Sequence, residues 1–126
     1  EGHVESGELA AAQMLDQAPW VTAIACYNDL TAIGALRALR AAGRRVPEDV
    51  SVVGFDDIAA ASWVVPALTT VCQPKAEMGR LAVEYLVRVL DGGAPQPLPE
   101  VRRLPLSLRV RESTGPVPAS PGNPER

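Results

Sequence analysis

Two adjacent acidic residues follow an apolar run in the first half of the chain. The run from Val50 to Phe55 is nearly free of polar residues and too short for a helix of ordinary length, so it predicts a buried strand. Asp56 and Asp57 come directly after it. A strand without polar alternation is typical of the centre of a parallel sheet, where helices cover both faces. Because ligands of an open parallel sheet bind outside the carboxyl ends of its strands, this acidic pair is a candidate binding site.

Asn28 occupies the equivalent place after an earlier predicted strand, Val21 to Cys26. It also precedes a predicted helix, Asp29 to Ala42, so that strand, helix and strand form one βαβ unit with parallel strands. An amide and a carboxylate at one sheet edge can hydrogen-bond to vicinal hydroxyls or to a purine edge. The same residue types are ordinary helix caps and turn formers, so the sequence leaves a purely structural role open for Asn28 as a cap and for Asp56 or Asp57 as a turn former or cap.

Two adjacent carboxylates also suggest magnesium-dependent aspartyl phosphotransfer. That chemistry needs a nucleophilic aspartate on a different strand from the metal-binding acids, and a lysine nearby. Lys75 is the only lysine and Asp29 falls at a helix start, so the sequence favours a binding site without enzymatic activity, metal or cofactor. His3 is the only histidine, and Cys26 and Cys72 lie in apolar segments that favour buried free thiols over the alternative of a disulfide or metal pair.

The length and composition are those of one ordinary globular domain. The chain has 126 residues, a net charge of −3 and a pI near 5.1, and such an acidic balance argues against direct nucleic-acid binding. No uninterrupted apolar stretch approaches the roughly 18 residues that a membrane span needs. The chain begins at Glu1 without Met or an apolar leader, which suggests a fragment.

The remaining segments predict an α/β fold, a parallel sheet with helices on both faces. A short helical turn follows Asp57, and the other predicted elements are a helix at Ser6 to Gln17, a strand at Leu68 to Gln73, a helix at Lys75 to Leu90, two short strands between Glu100 and Arg111 broken at Pro105, and a disordered tail at 113–126.

The helix after Asn28 is apolar on two sides. Its small residues, on the side of Gly34 and Ala38, suit close packing on the sheet. Its larger side, which includes Ile33 and Leu36, is then expected to meet a second surface, either another helix or a partner subunit. The helix Lys75 to Leu90 also has a wide apolar face.

Three motifs together resemble one family of proteins. They are the Asn-Asp pair that opens a helix, the segment VPEDVSVVGFDD, and the segment LTTVCQP with a glycine five residues after its proline. From about residue 5 to 113 the chain resembles the C-terminal part of the effector-binding domain of LacI-family bacterial transcription regulators. Periplasmic sugar-binding proteins share the fold and a similar strand end, and they remain the alternative.

The resemblance implies part of a two-lobed, type I periplasmic-binding-protein-like domain that closes on a small effector. That effector is usually a sugar or sugar phosphate and sometimes a nucleobase. Asn28 and Asp56 match ligand-contacting positions of the family, and Gln73 matches a strand crossing close to the cleft. Val4 aligns near a position where many relatives carry an aromatic ring, and its small side chain argues against ring stacking on a sugar.

The resemblance also implies partners. Ile33 and Val64 match positions of the family's dimer interface, which agrees with the placement of Ile33 and Leu36 on the larger apolar side. Residues 1–112 are then a partial effector-binding and dimerisation domain, in which about 74–104 cross to an N-terminal lobe. In such a domain the helix Lys75 to Leu90 packs on that lobe, and we expect either this chain's own sheet or a neighbouring copy to cover its apolar face instead. Operator DNA would be bound only through a helix-turn-helix domain preceding Glu1. We therefore expect a cytoplasmic homodimer with no membrane association.

Overall fold

The computed structural model describes residues 2–92 and 103–118. The elements in chain order are α1 (Val4–Gln17), β1 (Ala23–Ala25), α2 (Asp29–Ala41), β2 (Ser51–Phe55), a 3-10 turn (Ala59–Ser62), β3 (Thr69–Cys72), α3 (Lys75–Leu90) and β4 (Ser107–Arg109). They belong to two compact units. One holds the described residues up to Cys72 together with those from Leu108 onward, and the other is Gln73–Ser107.

The sheet has the parallel arrangement that the sequence predicts. Its strands lie in the order β1-β2-β3-β4, and β2 pairs in parallel with both β1 and β3. Ile24 lies opposite Val52, and Gly54 lies opposite Thr70. The βαβ unit and the internal position of β2 are thus confirmed, and the carboxyl ends of β1, β2 and β3 share one edge of the sheet.

The two faces of β2 are not equally covered. Val52 and Gly54 are buried, whereas Ser51, Val53 and Phe55 are half-buried. The buried face contributes Val52 to the main hydrophobic core of the first unit, which is made of Ala32, Leu36, Leu39, Val50, Val52, Ala61 and Leu68. The sequence predicts that both faces of this strand are covered, but among the described residues only one of them is.

The two sides of α2 pack the opposite way from the sequence prediction. Leu36 and Leu39, on the larger side, are 8% and 0% exposed and lie in the core beneath the sheet. Large side chains are needed there because the core space must be filled to close-packed density. Leu36 is therefore a core residue, and it offers almost no surface to a partner.

The small side of α2 faces α1 instead. Ala35 and Ala38 cluster with Ala11, and a methyl group added to Gly34 would overlap the backbone of α1. A methyl group added to Gly7 would likewise overlap the backbone of Thr31 in α2. Helix backbones that approach this closely leave no room for large side chains, so the small residues serve close helix-to-helix contact.

Several element boundaries match the sequence prediction and others differ. Asn28 caps α2 and Gly43 follows its end with φ +69°, as expected for a left-handed residue after a helix. α1 begins two residues earlier than predicted, with Ser6 at its third position donating its hydroxyl to the carbonyl of His3. β4 is the one strand described between 103 and 111, while the first of the two strands expected there falls partly on residues outside the described ranges.

α3 has the bounds that the sequence predicts, and it forms the described helix of the second unit. None of its residues is buried. Val83, Leu86 and Leu90 are 59%, 57% and 82% exposed. What covers its apolar face, the chain's own sheet or a neighbouring copy, stays a prediction.

The segment after β4 is ordered, contrary to the predicted disordered tail. Ser113 is fully buried, and it joins β2 to β3 at their amino ends. Its hydroxyl donates to Val52 O at 2.6 Å and accepts from Thr69 N at 2.8 Å, and its carbonyl accepts from Val52 N at 2.8 Å. Polar residues and prolines predicted disorder here, but backbone groups at the sheet's amino end need partners and this segment supplies them. Residues 119–126 of the predicted tail lie outside the described residues.

Replacing Ser113 with alanine should lower the free energy of unfolding by about 1–3 kcal/mol, because the buried N–H of Thr69 loses its acceptor. Urea unfolding followed by circular dichroism measures the change. Ser62→Ala is the matched control: that hydroxyl is exposed and donates only to Ala59 O, so we expect a change within about 0.5 kcal/mol. Equal effects of the two substitutions would contradict the role assigned to Ser113.

Candidate functional site

Polar residues follow β1 and β2 at the shared edge of the sheet. Asn28 comes three residues after Ala25, the last residue of β1, and Asp56 and Asp57 come directly after Phe55, the last residue of β2. Since β1 and β2 are adjacent and parallel, the structure brings Asn28 and the acidic pair to the same edge.

Asn28 is held in place by its own amide group. Its Oδ1 accepts from Thr31 N at 2.9 Å, which confirms it as the N-cap of α2. Its Nδ2 donates to Gly2 O at 3.0 Å, so the start of the chain is tied to the end of β1. Both contacts orient the side chain, and each leaves a second N–H or lone pair on the amide. A contact with an effector stays a prediction for this residue.

The turn after β2 has an unusual backbone. Asp56 and Asp57 adopt φ of 115° and 52°, values that non-glycine residues rarely adopt. Conformations of this kind cost on the order of 1–3 kcal/mol each and persist only where the surroundings enforce them. The N–H of Asp56 donates to Val71 O at 2.9 Å, which extends the pairing with β3 into the turn. Consecutive strained residues at a sheet's carboxyl edge are typical of a site held in one geometry for function.

Asp57 forms an ion pair that the sequence analysis did not anticipate. Its Oδ1 accepts from Arg111 Nη2 at 2.6 Å, and its Oδ2 lies 3.7 Å from Arg109 Nε. Arg111 also donates from Nη1 to Leu68 O at 2.8 Å. The hydrogen bond from Arg111 lowers the pKa of Asp57, outweighing the effect of burial. Asp57 is therefore a charged anchor for the segment after β4, and the phosphotransfer alternative gains no support from it.

A second polar contact that sequence reasoning missed involves Asp29, which is fully buried at the start of α2. Its Oδ2 accepts from Ile58 N at 2.8 Å, and its Oδ1 accepts from the hydroxyl of Thr70. Acids are common in the first turn of a helix because their negative charge interacts favourably with the helix dipole. The presence of Asp29 there therefore gave no signal of a link to β3. Only the folding of β3 beside β2 brings Thr70 to it.

The other predicted site residues fall in different surroundings. Val4 opens α1 two residues after Gly2, the residue that accepts from Asn28. Gln73 directly follows β3 and begins the second unit, so its placement near the cleft stays a prediction. Ile33 and Val64 are half-buried and keep surface for an interface, a role that likewise stays a prediction.

Both cysteines are half-buried thiols that form no disulfide. Cys26 lies in an apolar groove of about 250 Å³ between α1, β1 and α2. Burial raises the pKa of its thiol to about 11, so it is a neutral thiol at physiological pH.

The described residues contain no group of three or more His, Cys, Asp or Glu placed to hold a metal ion. Within the same residues no helix is both long and apolar enough to cross a bilayer.

Comparison with known proteins gives consistent relatives. Residues 1–114 match the family described as the periplasmic binding protein-like domain. The HTH-type transcriptional regulator CelR of Thermobifida fusca is 46% identical over 109 residues, covering 86% of this chain and 32% of that protein. The chain thus spans about a third of the length of this curated relative.

Solved structures agree with the sequence relatives. A LacI-family transcriptional regulator from Arthrobacter sp. FB24 in complex with lactose has a TM-score of 0.81 and 40% identity, covering 91% of this chain and 42% of that one. The lac repressor dimer bound to operator and the anti-inducer ONPF has a TM-score of 0.79 and 37% identity, covering 89% of this chain and 38% of that one. The α/β fold and the resemblance to LacI-family regulators are thereby confirmed.

The Asp57→Asn substitution should destabilise the chain at neutral pH by about 1.5–3 kcal/mol, because it weakens a charge-assisted hydrogen bond in a partly buried pair. The pKa of Asp57 is lower in the folded chain than in the unfolded one. The stability that it contributes is therefore present above its unfolded pKa of about 3.9 and is lost as the pH falls through the lower folded value.

Urea unfolding of the unsubstituted chain and of Asp57→Asn between about pH 6 and pH 2 measures the difference between their free energies of unfolding. This difference should shrink steadily below about pH 4. Asp16→Asn, at an exposed position of α1, controls for the loss of one negative charge. A difference between Asp57→Asn and the unsubstituted chain that stays constant over this range would contradict the ion pair.

Proposed function

Because the chain belongs to the periplasmic-binding-protein-like domain family, we propose that it is the effector-sensing and dimerisation part of a LacI-type transcription regulator, without enzymatic activity. The observation that carries the proposal is the placement of Asn28 and Asp56 at the shared carboxyl edge of β1 and β2. Similarity to regulators along most of the chain supports it. A domain of this kind would act in the cytoplasm and would reach operator DNA through a separate DNA-binding domain.

The proposed effector is a sugar or a sugar derivative. Amide and carboxylate groups at fixed separation suit the vicinal hydroxyls of a sugar ring, because each can bind two neighbouring polar groups. A relative of known structure holds lactose. The oriented amide of Asn28 and the strained backbone of Asp56 both indicate a preorganised site. Val4 and Gln73 are proposed as further contacts, the second through the crossing to the other lobe.

This chain on its own would bind such a ligand weakly. A site open on one side leaves part of the sugar in water, where its hydrogen bonds compete with solvent. In the complete domain, the ligand would change the relative orientation of two lobes, and the dimer would pass that change to the DNA-binding heads.

The proposed dimer uses the outer surface of α2 and the loop before β3. Ile33 and Val64 contribute the apolar contacts, and exposed Trp63 and Val65 flank the second of them, at 76% and 87% exposure. Large apolar side chains this exposed on neighbouring residues are typical of an interface. Leu36, which the sequence analysis also placed there, is instead part of the core.

Lactose titration followed by amide chemical shifts tests the ligand proposal. We expect shifts concentrated at Asn28, Asp56 and their neighbours, and a dissociation constant raised roughly tenfold or more by Asp56→Asn, which removes a charged acceptor. Asp16→Asn is the charge-matched control. An affinity for lactose that Asp56→Asn leaves unchanged would contradict the assignment, and shifts produced by Mg²⁺ with acetyl phosphate would favour phosphotransfer.

Sedimentation velocity tests the dimer proposal. Ile33→Glu and Val64→Glu should each convert a dimer into a monomer at micromolar concentration, because a charge in an apolar contact loses its hydration without a partner. Leu9→Glu, at a 61% exposed position of α1, should leave the dimer intact. Dimers that persist in both interface variants would show that another surface joins the subunits.

A further inference from the structure

The buried carboxylate of Asp29 links the segments that follow β1 and β2, in which Asn28 and Asp56 lie. Asp29 begins α2 directly after Asn28, and its side chain is 0% exposed. Its Oδ2 accepts from the backbone N–H of Ile58 at 2.8 Å, two residues after Asp56. Its Oδ1 accepts from the hydroxyl of Thr70 on β3, which is also fully buried. One side chain thus touches the helix start after β1, the turn after β2 and the middle of β3.

The turn that Asp29 contacts is the strained one. Asp56 and Asp57 both have positive φ, and left alone they would relax toward commoner conformations. The N–H of Asp57 faces the same hydroxyl, that of Thr70, at 3.5 Å. The turn is therefore fixed just after its strained residues by a carboxylate that cannot exchange its partners for water, because it is buried.

Gly54 shows that space is kept for this carboxylate. A methyl group added to Gly54 in β2 would overlap Oδ1 of Asp29 and approach the side chain of Leu68. Glycine inside a strand weakens the strand, so its presence here needs a reason. The close approach of Asp29 to the backbone of β2 supplies one.

We propose that Asp29 is a positioning residue, which holds the turn Asp56 to Ile58 in its strained conformation and so fixes the separation of Asn28 and Asp56. The value of this for ligand binding rests on the proposed function, whereas the conformational effect does not. If Asp29 only interacted favourably with the dipole of α2, that role would not require the hydroxyl of Thr70.

The test compares Thr70→Val with Thr70→Ser in the 126-residue chain. Valine is close in shape to threonine but lacks the hydroxyl, whereas serine keeps it. We expect Thr70→Val to change the backbone HN–Hα couplings of Asp56 and Asp57, which report φ, and to shift the amide proton of Ile58 upfield as its bond to Asp29 weakens. Thr70→Ser should keep the unsubstituted values, and Asp29→Asn should change the same signals as Thr70→Val.

A core substitution separates local positioning from general destabilisation. Val50→Ala removes buried apolar volume directly before β2, so it should lower the melting temperature without altering the couplings of Asp56 and Asp57. If Asp29→Asn fails to fold, the amide proton of Ile58, which donates to Asp29 and not to Thr70, still decides the question: it should shift in Thr70→Val and not in Thr70→Ser. Unchanged couplings in Thr70→Val, or the same changes in Val50→Ala, would overturn the proposal.

The readout needs no ligand, so its failure is distinct from failure of the proposed function. Lactose that does not bind would leave the coupling result standing, and couplings that do not respond to Thr70→Val would leave the lactose result standing.

Discussion

The parallel pairing of β2 with β1 and β3 is the constraint on which the rest of the structure depends. It brings three carboxyl ends to one edge, and it also leaves backbone groups at both ends of β2 that need partners. At the amino end, buried Ser113 supplies them. At the carboxyl end, buried Asp29 and Thr70 hold the turn that carries Asp56. Three buried polar residues, distant in sequence, thus fix the two ends of this strand.

Burial gives these polar contacts their importance. A hydrogen bond on the surface contributes little, because water replaces either partner, whereas a buried donor left without an acceptor costs about 1–3 kcal/mol. A protein of this size has only on the order of 5–15 kcal/mol of net stability, so either contact is a large share of it. The same reasoning explains why consecutive residues with positive φ persist at the edge: the contacts around them offset the strain.

The packing of α2 shows how one helix can serve two different neighbours. Its large side chains fill the core against the sheet, while Gly34 and Ala35 let α1 approach to backbone contact. Helix-to-helix distance follows the size of the residues between the axes, so small residues belong where two helices cross closely. This packing brings the start of α1 close to Asn28. The side-chain amide of Asn28 donates a hydrogen bond to Gly2 O and so binds the first residues of the chain.

The sequence by itself determined the local elements and the place of the candidate site. Periodicity and caps predicted α2 and α3, and the apolar run before Asp56 and Asp57 predicted an internal parallel strand, because these signals depend on neighbours in the chain. The tertiary structure alone decided which side of α2 meets the sheet, that Ser113 is buried, and that Asp57 pairs with Arg111. Such contacts join residues tens of positions apart, and their energy depends on burial that no local pattern records. The two acids of the pair have different roles for the same reason. Asp57 forms an ion pair with Arg111, while Asp56 lies beside it at the sheet edge in a conformation that its surroundings impose.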